Sequence, residues 1–263
     1  MSDSWNLATV SWLFVSTVEV LLLVFVLYRR QYRSHPLFTL YVFSLVLQTT
    51  VAFLAYRRWG PRSWQYFDVA WLSQASVVCA RWLAVVEIAR KVFVRYSGVW
   101  RLASIILLTM SLGVLLYSIL AAGSRFGFVV LAAGRGVELC IALFIVAVFV
   151  SARYYRLPIV DAERQLAIGF CLYSCVWVVN ITLFEAWRQS LGEVWDTFLT
   201  IAFLASVVIW VVALRAPARE SVSTSAPALS PEQYAQLSTE VSSRLVALND
   251  RLNQLFRSGG HRS

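Results

Sequence analysis

Through most of this chain, apolar residues come in continuous runs instead of alternating or recurring every third or fourth position. Seven runs of about 20 residues lie near 8–28, 37–56, 69–89, 102–122, 129–150, 166–186 and 196–214. Each matches the length that crosses a ~30 Å hydrocarbon core, and all are too long and continuous for barrel strands. The pattern predicts an all-α fold, a polytopic membrane protein built as a seven-transmembrane-helix bundle. Pro36, Pro61, Pro158, Pro217, Pro227 and Pro231 all fall outside the runs, so the helices are expected to be unbroken.

The polar positions inside the runs are few and patterned. With a rise of about 1.5 Å per residue, Glu19, Gln48, Arg81 and Glu138 come out near the midplane. Arg135 and Asn180 come out about 9 Å from the outer surface by the same rise. A charge at the centre of a span costs roughly 2.5–3.5 kcal/mol on insertion scales. Glu19, Arg81, Arg135 and Glu138 facing lipid would therefore cost on the order of 10 kcal/mol together. They are expected to face the bundle interior, and their formal charges sum to zero, as mutual pairing requires.

Spacing refines this expectation. Arg135 and Glu138 are three apart and project from one side of span five. Gln74 and Arg81, seven apart, form a polar stripe on span three, and Tyr173 and Asn180 do the same on span six. Spans one, three, five and six are predicted to meet around a buried polar cluster, with Arg81 turned toward Glu19 or Glu138. Such a cluster either acts, as a pocket, proton path or conformational lock, or fixes helix order as a structural ion-pair network. Glu87 before Lys91, and Glu185 before Arg188, read as ordinary interfacial pairs.

Composition agrees with a bilayer as the solvent. Of 263 residues 59% are hydrophobic and 14% charged, against about 25% charged in a soluble domain. "MSDSWNLATVSW" has no positive segment before its apolar stretch, so the first run reads as a span and not as a cleavable signal. Lys and Arg set the orientation. One set of short loops carries Arg29, Arg30, Arg33, Arg90, Lys91, Arg95, Arg101, Arg153, Arg156 and Arg164. The other carries Arg57, Arg58, Arg62, Arg125 and Arg188. The richer set is expected to be cytoplasmic, placing the N-terminus outside and the C-terminus in the cytoplasm of a multi-pass inner (cytoplasmic) membrane protein. Arg57, Arg58 and Arg62 run against that bias, whereas Trp5, Trp12, Trp59, Trp64, Trp187 and Trp195 would gather at the outer interface. The net charge of +9 is then a positive-inside signature with contact to anionic lipid headgroups. Its basic residues flank helix ends instead of forming one soluble patch, which excludes nucleic acid as a partner.

After Arg215 the character changes. Residues 216–230, "APARESVSTSAPALS", read as a flexible tether. A helix is predicted over 231–257, with Ser230 as cap, Pro231 at its first position, and Glu232 and Gln233 in its first turn. Tyr234, Leu237, Val241, Leu245, Leu248, Leu252 and Leu255 form its apolar stripe. Acids Glu232, Glu240 and Asp250 balance bases Arg244, Arg251 and Arg257. A membrane-surface helix is usually rich in Lys and Arg. The balance favours a coiled coil with a partner protein or a second copy, ahead of docking on the bundle's own loops or on lipid.

Catalytic chemistry finds little to hold. The only lysine, Lys91, sits at the cytoplasmic end of span three, which excludes a retinal Schiff base deep in the last span. His35 lies in a loop and His261 in the tail, so neither suits an intramembrane haem or zinc site. No HExxH, GxSxG or P-loop pattern occurs. Cys79, Cys140, Cys171 and Cys175 all lie within spans and imply no extracellular disulfide framework. Small apolar packing is the usual role of buried cysteine, ahead of a soft-metal or thiol site. No cofactor or metal is expected.

The stretches "RRQYRSHPLFTLYVFSLVLQ", "VVEIARKVFVRYSGVWRLA" and "GRGVELCIALFIVAVFVSARYYRL" resemble an uncharacterised family of seven-helix bacterial integral membrane proteins. The resemblance spans roughly residues 25 to 215, implies a seven-helix bundle, and brings no activity or catalytic residue with it. The function expected is that of a non-enzymatic sensor, receptor-like or ligand-binding bundle whose tail helix contacts a partner. A small transporter or channel using the buried charges is the alternative from another class. Helices free of proline and the lack of an internal repeat of three or more spans count against it. An accessory subunit of a larger membrane complex, with a purely structural cluster, is the third.

Overall fold

The computed structural model describes residues 7–60, 63–93, 97–122, 126–154, 159–186 and 192–215, together with Ser243, Val246, Ala247, Asp250 and Arg251. Among these residues there are seven long α-helices and no strand. They are α1 (Leu7–Tyr28), α2 (Pro36–Trp59), α3 (Trp64–Val92), α4 (Ser97–Ala122), α5 (Phe126–Tyr154), α6 (Asp161–Ala186) and α7 (Gly192–Arg215), with a 3₁₀ turn at Gln31–Arg33 between α1 and α2. The 216–230 tether and most of the 231–257 helix lie outside the described residues. So does the Glu185–Arg188 pair. The five described tail residues are helical.

Local chemistry explains where the helices begin and end. Pro36 stands at the start of α2, where its missing N–H costs nothing. The chain turns at Gly60, with φ of 76°. The Ser63 hydroxyl then caps α3 by accepting from Tyr66 N at 3.2 Å, so α3 begins at residue 64, ahead of the apolar run. Asp161 and Glu163 occupy the first turn of α6, where carboxylates favour the helix N-terminus. Apolarity alone marks where a helix meets lipid, whereas capping residues and first-turn acids extend it into the interface. That is why α3 and α6 start about five residues before the runs that reveal them.

Five helices contain stretches long and apolar enough to cross a membrane: α2, α3, Trp100–Leu120 of α4, Ala133–Arg153 of α5, and Thr197–Arg215 of α7. The apolar part of α1, Trp12–Tyr28, is shorter. The chain is thus a helical, membrane-embedded protein.

The packing follows a ring. α1 lies between α2 and α7, and the circuit closes through α2–α3, α3–α5, α5–α6 and α6–α7, with α3 also touching α6 across the middle. α4 stands outside this ring, docked on α5 and only slightly on α3. Two glycines permit the tightest approaches. A Cβ on Gly136 of α5 would run into Val114 of α4, and one on Gly169 of α6 would run into the Trp210 indole of α7. In the space so opened, Trp210 Nε1 donates to Leu166 O at 3.2 Å and Ser206 Oγ donates to Gly169 O at 3.0 Å.

The densest core is aromatic. Phe38 and Tyr41 of α2, Phe170 of α6 and Trp210 of α7 are all fully buried, with ring centroids 5.0–6.4 Å apart. This plug lies in the half of the bundle nearer the 3₁₀ turn. The polar site lies just beyond it, toward the Gly60 end.

Candidate functional site

Seen from the Gly60 end, α1, α2, α3, α6 and α7 surround a cavity of about 170 Å3. Its polar lining is Glu19, Gln48, Gln74, Arg81, Tyr173 and Thr200, and Val15, Leu45, Val77, Leu199 and Phe203 supply the apolar remainder. Liquid water would fill it with about five or six molecules. It is smaller than the ~300–1,000 Å3 sites that hold drug-sized ligands. Tyr41, Phe170 and Trp210 lie about one to two turns beyond Leu45, Tyr173 and Phe203 on the same helices, so the aromatic plug closes the bundle past the cavity floor.

Arg81 forms that floor, and it is held from several sides. The guanidinium is 1% exposed and ion-paired through Nη1 with Glu138 Oε1 of α5, itself 0% exposed. Ser174 Oγ of α6 donates to the other carboxylate oxygen at 2.6 Å. Two tyrosine rings flank the cation, Tyr173 at 4.3 Å and Tyr41 at 5.3 Å from Cζ to centroid. Cation–π contact of this kind gains strength when desolvated. Arg81 Nε and Tyr41 Oη are buried without hydrogen-bond partners among the described residues. One charge pair therefore joins α3, α5 and α6, and the aromatic rings tie it to α2.

Glu19 belongs to the cavity and not to that pair. Its Oε2 accepts from Thr49 Oγ1 of α2 at 2.7 Å, and no cation pairs with it among the described residues. Gln48 Nε2 donates to Gln74 Oε1 at 2.5 Å across α2 and α3. That bond uses a Gln48 donor and leaves its carbonyl oxygen as an acceptor.

The polar residues singled out in the sequence thus separate into groups. Glu19, Gln48, Gln74, Arg81 and Tyr173 line one cavity, and Glu138 stands behind Arg81, outside the lining. Arg135 is half-buried, one turn from Glu138. Asn180 is buried, but it is not among the cavity residues, and its Oδ1 has no hydrogen-bond partner among the described residues. The cavity walls are α1, α2, α3, α6 and α7, whereas the spacing argument placed spans one, three, five and six around it. α5 instead serves the ion pair. Sequence reasoning missed Ser174, Thr49, Thr200 and Tyr41. Thr49 beside Gln48, and Ser174 beside Tyr173, offered a signal, since each extends a polar position already marked. Tyr41 reads as an apolar core residue until a cation is found on its face.

A second polar cluster ties α3 to the start of α2. Glu87 Oε2 accepts from Leu37 N at 2.9 Å and Phe38 N at 3.1 Å, so a side chain of α3 caps α2. Lys91 donates to Ser34 O and lies 2.7 Å from His35 Nδ1 and 4.0 Å from Glu87 Oε1. An ammonium only donates, so Nδ1 is the accepting nitrogen and the His35 proton sits on Nε2. Burial first, and the Lys91 charge second, lower the His35 pKa to about 4. The Glu87–Lys91 pair is therefore an interhelical tie and more than an interfacial ornament. The four cysteines are free thiols, and no group of three His, Cys, Asp or Glu side chains among the described residues could hold a metal ion.

No protein-family model, curated protein or solved structure matches this chain.

Proposed function

We propose that the chain is a seven-helix integral membrane protein of a bacterial inner membrane, non-enzymatic, that binds a small molecule in its cavity and reports occupancy inward through the 231–257 helix. One observation carries this reading: a small polar cavity ends on an ion-paired arginine and is backed by a closed aromatic plug. A blind pocket suits binding better than passage, so a transporter or channel is the weaker alternative. In the proposed orientation the N-terminus is outside. Trp12, Trp59 and Trp64 mark the outer interface, and Arg29, Arg30, Arg33, Arg90 and Arg153 the cytoplasmic one. The cavity then faces outward, and the tail lies where a partner protein, or a second copy, can meet it. The resemblance to the bacterial seven-helix family supports the span count and the host.

Cysteine accessibility tests the proposal. With Cys79, Cys140, Cys171 and Cys175 replaced by alanine, Gln48→Cys and Gln74→Cys should react with a membrane-impermeant maleimide added outside. Val85→Cys, beyond the floor, should react from neither side. Labelling of all three from both sides would replace the sensor with a through-path. Native mass spectrometry with and without residues 231–257 tests the tail: loss of a bound partner or of an oligomer on deletion is the expected result.

A further inference from the structure

Charge accounting within the cavity narrows what it binds. Two groups with formal charge line it, Glu19 and Arg81. Arg81 is already neutralised, because Glu138 occupies its Nη1 behind the wall and Tyr173 and Tyr41 cover it. Glu19 is 6% exposed, holds one hydroxyl donor from Thr49, and has no cation among the described residues. A buried carboxylate without a counter-charge is costly, and no cation among the described residues pairs with it. The neighbouring amide pair spends the Gln48 N–H on Gln74 and leaves the Gln48 carbonyl to accept. The Glu19 carboxylate and the Gln48 carbonyl thus have acceptor capacity left, and Val15, Leu45, Leu199 and Phe203 supply apolar lining beside them.

From this arrangement we infer that the cavity ligand is a small organic cation bearing a protonated amine, with its ammonium on Glu19 and its carbon skeleton against Val15, Leu45, Leu199 and Phe203. The inference rests on the binding role proposed above and names the class of ligand. An ammonium offers three donors, enough for the Glu19 carboxylate and the Gln48 carbonyl together. An anion would meet an arginine whose charge Glu138 already balances, and would meet Glu19 itself. The cavity volume limits the occupant to an amine of a few carbons.

The experiment uses the full chain in lipid nanodiscs and measures the melting temperature against concentration. The probes are methyl-, ethyl-, propyl- and butylammonium chloride, with the matching alcohols, sodium chloride and sodium acetate as controls. At least one alkylammonium should raise Tm saturably, while its alcohol and sodium chloride do not. Glu19→Gln keeps the size of the side chain and an acceptor for Thr49, and should abolish the shift while melting near the parent temperature without ligand. Glu19→Asp, which retains the charge, should keep a shift and move the preferred chain length. If Glu19→Gln melts far lower, the Glu19→Asp series and the parent's amine-over-alcohol selectivity decide the matter. No alkylammonium shift on the parent, an equal shift with sodium chloride, or an undiminished shift in a folded Glu19→Gln would overturn the inference. Acetate or an alcohol stabilising in place of the amines would overturn it while leaving the binding cavity standing. Silence from every probe, combined with cavity cysteines closed to outside reagent, would remove both.

Discussion

α3 and α4 follow each other in the chain, and both contain stretches apolar enough to cross a bilayer. They end in opposite situations. α3 is packed on α2, α5 and α6, and it buries Arg81 and Glu87 along with Val77, Ala84, Val85 and Ile88. α4 stands outside the ring, and of its described side chains only Leu107 and Ser118 are buried. Leu108, Leu112, Leu116 and Leu120 are open to the surroundings. The helix with more charge is the central one, and the helix richer in leucine is the peripheral one. Lipid is as apolar as leucine, so hydrophobicity alone gives a helix no reason to leave it. Polar groups, which lipid cannot satisfy, supply that reason.

Substitutions can break or sharpen this contrast. The largest effect is expected from Arg81→Leu, which leaves Glu138 buried and unpaired and should destabilise the bundle by about 3–5 kcal/mol. Adding Glu138→Leu to it should recover most of that loss, as measured by unfolding in mixed micelles. If the single variant is as stable as the parent, the pair does not hold α3 at the centre.

Next is acid titration at the end of α3. His35 is neutral in the fold, with its pKa lowered to about 4 from an ordinary value of 6.5. The unfolded chain therefore binds the extra proton between those values. Stability is complete above about pH 6.5, falls as pH drops toward about 4, and levels off below, a loss of about 3 kcal/mol. Glu87, Glu163 and Lys91 share this neighbourhood, so the check is the difference between parent and His35→Asn, which should lose that part of the slope.

Smaller effects belong to α4. Gly136→Leu should force Val114 away and cost about 1–3 kcal/mol by overpacking, without unfolding the ring. Trp82→Phe removes the bond from Trp82 Nε1 to Ser111 Oγ, 3.0 Å long, and should cost about 0.5–1.5 kcal/mol. Leu112→Ala on the open face should change stability by no more than about 0.5 kcal/mol. A large effect there would mean that α4 is covered by protein and not by lipid.

Much of the helical plan was legible, because a bilayer imposes a length that apolar runs must meet. Depth was legible too: Glu19, Gln48 and Arg81 share a level by counting along their helices, and they share a cavity in the structure. Partner choice was not. Glu19 and Glu138 both stood at the right depth for Arg81, and nothing along the chain ranks them. Helix adjacency does: α3 packs directly on α5, whereas α1 lies against α2 and α7, so Glu138 takes the arginine and Glu19 takes Thr49. The role of Glu87 was hidden for a similar reason. Its partner in sequence is Lys91, but its hydrogen bonds go to the backbone of residues about 50 positions earlier.

The joining of α3 to α5 also has a consequence in time. Arg81 and Glu138 are 57 residues apart in the chain. At the ~5–20 residues per second of synthesis, the arginine emerges about 3–11 s before its carboxylate exists. Throughout that interval α3 carries a cation whose ion-pair partner has not yet been made. The pairing therefore predicts that α3 stays in a hydrated setting until α5 is made, and that the two helices enter lipid together.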